Sequence, residues 1–421
     1  MESRDEPRPE VSTGRIETLD ILRGAALVGI FIVHGTQLFC GWSMLPPERR
    51  AALPFSGADW LTQAAVSFLF ADKARVLFAL MFGVSFFLQL KSAERRGQSI
   101  QRLFVRRLSI LLLFGLVHAH VLFGADILRY YALSGFLLLG AWQWPSRRLL
   151  LTSAVLAVGV PCGAALALQL GGLGTEAMDW SRVAAAYRSS SLADFLWAEN
   201  VMALERYKWP LLLSYAAPTA GIFLLGVWLA RHEFPQRAEL HRARLKTWAG
   251  WGLGLGLLGL GAEFGTEMLL TGDEALLPRV LFAVLLPAVF VGHLALSLFY
   301  VCTLSLLCLH PSWKRRLSVL APAGRMTLTN YFLQSGMGAL IFYGIGGGLY
   351  DRVGPFVALL ITLGLCTLQL FSSAWWLRHF QMGPLEWLWR WMLQGQRPTF
   401  RRATSAPLVR TAPGADPTRT P

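Results

Sequence analysis

Apolar positions dominate this chain in long unbroken runs, and polar residues gather in the stretches between them. About 20 mostly apolar residues suffice to cross a bilayer as a helix. Runs of roughly that length lie at 21–40, 74–91, 104–124, 127–144, 149–170, 210–230, 247–269, 280–306, 326–348 and 354–377. The pattern predicts an all-α integral membrane protein, a bundle of about ten transmembrane helices. The runs 104–124 and 127–144 are joined so tightly that they must form a hairpin.

The polar stretches set the orientation, because excess Lys and Arg stay on the cytoplasmic side. With the N-terminus inside, 27 of the 39 Lys and Arg residues fall on inner stretches and 11 on outer ones, with Arg23 inside the first run. Both termini are therefore expected in the cytoplasm. The outer stretch 171–208 includes most of DFLWAENVMALERYKWP, in which Trp197, Val201 and Leu204 share a face opposite Glu199 and Arg206. It predicts either an interfacial helix on the outer leaflet or a solvated linker. The end of the chain, 394–421, turns to Pro, Thr, Ser and Arg and is expected to be disordered, with Arg397, Arg401 and Arg402 near the inner leaflet.

Composition agrees with the pattern. At 54% hydrophobic and 15% charged, with mean hydropathy +0.46, the chain has too little charge to cover a soluble core of its size. The net charge of +14 would raise the question of nucleic acid in a soluble protein. Here it is chiefly an orientation signal, so the expected partner is the lipid bilayer and not a nucleic acid. The five cysteines form no C-x-x-C pair, and no metal-ligand motif is present. Gly254, Gly256 and Gly259 spell G-x-G-x-x-G inside an apolar run with no strand before it, which points to close helix packing and not to a dinucleotide site. Walker A, H-E-x-x-H and G-x-S-x-G motifs do not occur.

Ionisable groups inside apolar runs are costly and mark candidate sites. In the first run Arg23 and His34 are eleven residues apart, three helical turns, so they share a face with His34 about 16 Å further along. Asp20 precedes Arg23 by three residues and can pair with it. In the third run His118 follows Arg107 by the same eleven residues. Both runs go from inside to outside, which sets the two imidazoles at about one depth as a candidate acid/base pair. His120 faces away and is expected to be structural. Asp126, at the tight hairpin, is either a site residue or a helix cap. Lys73 and Arg75 open the second run as interface anchors or as ligands for an anion. Asn330 and Gln334, four apart in GRMTLTNYFLQS, bond another helix or line a polar cavity. Glu263 and Glu267 are expected at a solvated helix end, and His293 and His379 have no partner visible in the sequence.

The opening RIETLDILRGAALVGIFIVH resembles the L-D-x-L-R-G start shared by YeiB-like proteins and the wider transmembrane acyltransferase group, which includes the heparan-glucosaminide acetyltransferases and acyltransferase-3 proteins. ARVLFALMFG and GLVHAHVLFGADILRYYALSGFLLL resemble YeiB segments, and GRMTLTNYFLQS, GGGLYDR and GPLEWLWR resemble the C-terminal DUF418 domain. GADIL differs from the G-D-I-L signature by an extra Ala. Many YeiB-like chains have Asn where His34 stands, the His being more typical of the acyltransferase members.

The resemblance implies a cytoplasmic segment 1–19, a YeiB-like membrane region 20–230, a DUF418-like membrane region 231–393 and the tail 394–421. It also implies a multi-pass protein of the bacterial cell (inner) membrane. It implies transfer of an acyl group from acyl-CoA, acetyl-CoA first among donors, to a hydroxyl or amine of a small-molecule or glycan acceptor. His34 would be the catalytic base or acyl-handling residue, with Asp20, Arg23, His118 and Asp126 carried over from the motifs. Arg23, Arg106, Arg107 and Arg325 would form an inner basic rim for the CoA phosphates, and His118 or Asn330 would stabilise the oxyanion. The alternative is a transporter or permease for an anionic or small polar solute.

Overall fold

The computed structural model describes residues 16–44, 56–169, 178–208, 211–270 and 276–402. Among them there is no strand, only an isolated bridge between Phe380 and Arg401. The first half of the chain folds as α1 (Glu17–Val33), continued by a π-helical turn His34–Phe39, then α2 (Gly57–Leu69), α3 (Lys73–Arg95), α4 (Ile100–Val121) and α5 (Leu128–Ala141). Next come α6 (Ser146–Ala154) and α7 (Val160–Gln169), joined by a π-helical turn, then two shorter helices, α8 (Trp180–Arg188) and α9 (Leu192–Glu205). The second half holds α10 (Leu211–Arg231), α11 (Arg242–Leu270), α12 (Leu276–Leu307), α13 (Pro311–Leu317), α14 (Ala321–Arg325), α15 (Thr327–Phe342), α16 (Pro355–His379) and α17 (Pro384–Gln394).

Among the described residues, all ten apolar runs fall chiefly on helices, and six helical stretches are long and apolar enough to cross a bilayer: Glu17–Phe39, Gly57–Arg95, Ser146–Ala167, Leu211–Arg231, Val280–Leu307 and Pro355–His379. Of the others, α5 and α15 have only 14 and 16 residues. Large apolar side chains face outward on several of these helices, with Leu258 70%, Phe371 67% and Leu368 61% exposed. Apolar surface of this extent is what a bilayer covers, so the protein is a multi-pass membrane protein.

The main core lies among α1, α3, α4, α5 and α10, around Leu22, Leu80, Phe223 and Val227. Helices α3 and α10 touch backbone to backbone, because a Cβ on Gly83 would collide with Phe223 O and one on Gly226 with Leu80 O. Gly259 of the G-x-G-x-x-G run meets Gly292 of α12 in the same way, which is the helix packing that the sequence indicates.

A second core of Phe31, Phe39, Phe123, Tyr187, Phe195 and Tyr343 binds the end of α1 and the 122–127 turn to α8 and α9. On α9 Glu199 turns inward, 1% exposed, and Leu204 outward, 57% exposed, while Trp197 and Val201 are half-buried against this core. The helix turns its carboxylate toward the 122–127 turn, whose backbone needs an acceptor. Beyond α17 the chain returns along α16, with Gln381 N bonding Phe400 O (2.9 Å) and Arg402 N bonding His379 O (3.0 Å). The expected tail is thus bonded to the bundle as far as Arg402, and residues after it, like most of segment 1–19, lie outside the described residues.

Candidate functional site

His34 opens the π-helical turn that ends α1, and such turns frequently mark functional positions. Its ring lies 4.7 Å from Phe123 and 6.5 Å from Tyr331. His118, near the end of α4, lies 6.2 Å from Phe123 and 4.6 Å from Tyr331. The two histidines therefore sit against the same two aromatic rings at one level of the bundle, although 84 residues separate them in the chain.

Their surroundings differ. His34 borders a cavity of about 220 Å³ together with Gln37, Asp72, Arg75, Arg206 and Tyr215. His118 is fully buried and is not in the wall of that cavity. Its Nδ1 meets Asp126 Oδ1 at 2.9 Å and its Nε2 meets Ser335 Oγ at 2.9 Å. Asp126 is also fully buried, and its second oxygen accepts the Arg129 N–H at 3.0 Å. The carboxylate thus caps α5 and orients the imidazole at once, which joins the two alternatives left open by the sequence. Ser335, 1% exposed, is the member of this chain that sequence reasoning missed. It lies in the quoted segment GRMTLTNYFLQS, one turn after Tyr331, but a lone serine there gives no signal.

A second cavity, of about 230 Å³, meets α1 at Arg23 and carries Arg23, Arg107 and Arg325 in its wall. Phe82, Phe104, Tyr131, Tyr331 and Trp389 supply much of the remainder. Arg23 is held by Asp20 Oδ1 at 2.9 Å and by Ser85 Oγ at 2.8 Å. Arg107 lies over the Trp389 ring at 4.7 Å. Arg106 is exposed and donates to Met392 O at 2.6 Å, so it anchors α17 and does not border the cavity. Glu386 of α17 also borders it, but its oxygens accept Leu328 N–H (2.8 Å), Thr329 N–H (3.1 Å) and the Thr329 hydroxyl (2.5 Å) at the start of α15. Burial holds its carboxyl above the ordinary range. The two cavities are neighbours, since Ile127 stands in the wall of both.

The remaining expected residues are placed as follows. Arg75 lies in the His34 cavity, paired with Asp72 at 2.8 Å. Lys73 points elsewhere, fully buried, with its Nζ 2.9 Å from Ser67 O and 3.5 Å from Glu263 Oε2. His293 meets the same Glu263 oxygen at 3.0 Å, so both residues have partners that the sequence did not reveal. Asn330 bonds Ser373 Oγ (3.0 Å) and Gln334 bonds Gln369 Oε1 (2.7 Å), which ties α15 to α16 and leaves both amides outside the two cavities. His120 bonds Asn200 Oδ1 at 2.8 Å and fixes α9 in place. Among the described residues no group of three or more His, Cys, Asp or Glu is arranged to hold a metal.

Residues 229–396 match the family model described as a protein of unknown function, DUF418. The chain is 33% identical to the uncharacterized protein YxaH of Bacillus subtilis, over 91% of this chain and 95% of that protein. It is 29% identical to the uncharacterized protein YeiB of Escherichia coli, over 89% and 94%. An uncharacterized 39.9 kDa protein encoded in the amylase 3' region of Bacillus acidopullulyticus is 27% identical over 91% and 95%. With similarity extending over nearly the whole length of these proteins, the chain belongs to the YeiB-like DUF418 family.

Proposed function

We propose that this protein is a membrane-embedded acyltransferase that moves an acyl group from acyl-CoA to a hydroxyl or amine acceptor. In this reading ten helices cross the cell membrane and both termini are cytoplasmic. The observation that supports it best is the pair of adjoining cavities, one lined by Arg23, Arg107 and Arg325, the other by His34, with Ile127 common to both. The arginines offer charge for the phosphates of CoA, and the aromatic walls of Tyr131, Tyr331 and Trp389 suit the pantetheine arm. His34 then takes the proton of an acceptor held in its own cavity. Purified protein given radiolabelled acetyl-CoA and membrane or cell-wall extract is expected to transfer label, and His34→Ala to abolish the transfer. Absence of transfer, or transfer undiminished in His34→Ala, refutes the assignment.

A second reading, a transporter for an anionic or small polar solute, draws on the chain Lys73–Glu263–His293 between α3, α11 and α12, in which Lys73 and His293 are buried and Glu263 is half-buried. Ionisable chains between helices serve proton or ion coupling in membranes. Solute uptake into proteoliposomes in the absence of CoA, lost in Glu263→Gln, favours it over transfer chemistry.

A further inference from the structure

We infer that Ser335 carries the acyl group between the two cavities as a seryl ester, with His118 as its base and Asp126 as the group that orients the base. The inference rests on the acyltransferase reading and adds to it a nucleophile and a two-stage reaction.

The geometry starts at Asp126. One of its oxygens accepts the Arg129 N–H and the other faces His118 Nδ1 at 2.9 Å, so the carboxylate acts as an acceptor on both sides. Nδ1 is then the protonated nitrogen, and the lone pair on Nε2 is directed at Ser335 Oγ, 2.9 Å away. The serine hydroxyl has one other acceptor in reach, Tyr331 O, at the longer distance of 3.3 Å. A carboxylate that fixes the tautomer, an imidazole, and a hydroxyl on its free nitrogen form the constellation that activates serine for acyl transfer on unrelated folds. Nothing about holding helices together demands this order of groups. Asn330 and Gln334 achieve that with amides on the same helix.

Access runs through Tyr331. It stands one turn before Ser335, borders the arginine cavity, and lies with its ring 4.6 Å from His118. Its hydroxyl meets no side chain, only the Ile127 backbone, so turning the ring aside gives up that one contact and opens the end of the arginine cavity onto the serine. The other cavity meets the same group of rings at His34.

The chemistry balances in two stages. In the first, Ser335 Oγ bonds the thioester carbonyl carbon while its proton passes to His118 Nε2. The carbon–sulfur bond then breaks, and the departing thiolate takes that proton and leaves as CoA thiol. In the second, the acceptor hydroxyl or amine attacks the seryl ester and gives its proton to His34. The bond from carbon to Oγ breaks, Oγ takes a proton through His118 Nε2, 2.9 Å away, and His34 releases the acceptor's proton to solvent, from which His118 is reprotonated. CoA stays on one side and the acceptor on the other.

The test uses the full-length protein in detergent with radiolabelled acetyl-CoA and no acceptor. Wild type is expected to retain hydroxylamine-labile label on the peptide containing Ser335, to release CoA, and, when labelled CoA is supplied with unlabelled acetyl-CoA, to exchange that label into acetyl-CoA. Ser335→Ala, with unchanged thermal stability, is expected to lose label and exchange by ~10³-fold or more. Ser335→Cys is expected to keep a thioester label, which shows that the position remains reactive. His34→Ala is expected to accumulate label without transfer. Wild-type transfer that survives intact in Ser335→Ala, or label that maps to another residue, overturns the seryl intermediate and leaves the acyltransferase reading standing. No label and no transfer by wild type overturns both.

Discussion

Glu199→Gln tests how α9 and the 122–127 turn are clamped together. Glu199 is 1% exposed, its Oε2 accepts the Gly124 N–H, and the Tyr187 hydroxyl stands beside the carboxyl. Burial, only partly offset by the Gly124 bond and nearby Tyr187 and Arg206, pushes its carboxyl up to about 8 from an ordinary 4.5. The folded protein thus holds this proton more tightly than the unfolded chain does. Its stability is fully present below about 4.5 and declines as the pH rises toward about 8. At roughly 1.4 kcal/mol per pK unit, the penalty at pH 8.5 is a few kcal/mol, and relaxation around the ionised carboxylate reduces it. The substituted amide would keep an oxygen for Gly124 and could not ionise. Thermal unfolding followed by tryptophan fluorescence in detergent should show wild type and Glu199→Gln equal near pH 5. The variant should become more stable by several degrees at pH 8.5, with slower amide exchange over 122–127. If the two proteins lose stability in parallel with pH, or the variant is the less stable one at pH 8.5, the buried protonated carboxyl is refuted.

Three further outcomes follow from the geometry. In Asp126→Asn the amide keeps a cap for Arg129 but presents a donor or a weaker acceptor to His118, which frees the imidazole to take the other tautomer and removes the lone pair from Ser335. Acetyl transfer is expected to fall ~10³–10⁴-fold with a melting temperature within a few degrees of wild type. Glu386→Ala leaves three donors at the start of α15 without their acceptor. At about 1 kcal/mol for each bond, a loss near 3 kcal/mol is expected, with faster exchange at 327–331 by mass spectrometry. Gly83→Ala forces α3 and α10 apart at their backbone contact, and about 1–3 kcal/mol of stability should be lost by thermal unfolding, whereas Gly140→Ala, where a Cβ meets nothing, should be neutral or stabilising.

How far the site can be read from sequence depends on what its groups leave in the chain. The apolar runs locate ten helices because burial and lipid both demand the same residues at every position. Equal spacing from Arg23 to His34 and from Arg107 to His118 places both imidazoles at one level because helical rise is fixed. Asp126 is within eight residues of His118 and could be suspected. Ser335 is 217 residues from it, and Glu263 is far from Lys73, so only tertiary packing creates those pairs. Adjacent residues on a helix point about 100° apart, which is why Arg107 reaches the cavity and Arg106 leaves it.

The inward turn of Glu199 on α9 has a physical cause that applies throughout the bundle. A helical wheel separates Trp197, Val201 and Leu204 from Glu199, but it cannot say which side meets protein. In water the apolar side turns inward. Beside a bilayer the apolar side has a second favourable neighbour, so an inward polar group such as Glu199 costs less when a backbone donor awaits it. Gly124 N–H is that donor, and it belongs to the same turn that carries Asp126. The carboxylate on α9 therefore fixes the turn from outside while Asp126 fixes His118 from within. A change at Glu199 should reach His118 through the backbone of this one short turn and not through the apolar core.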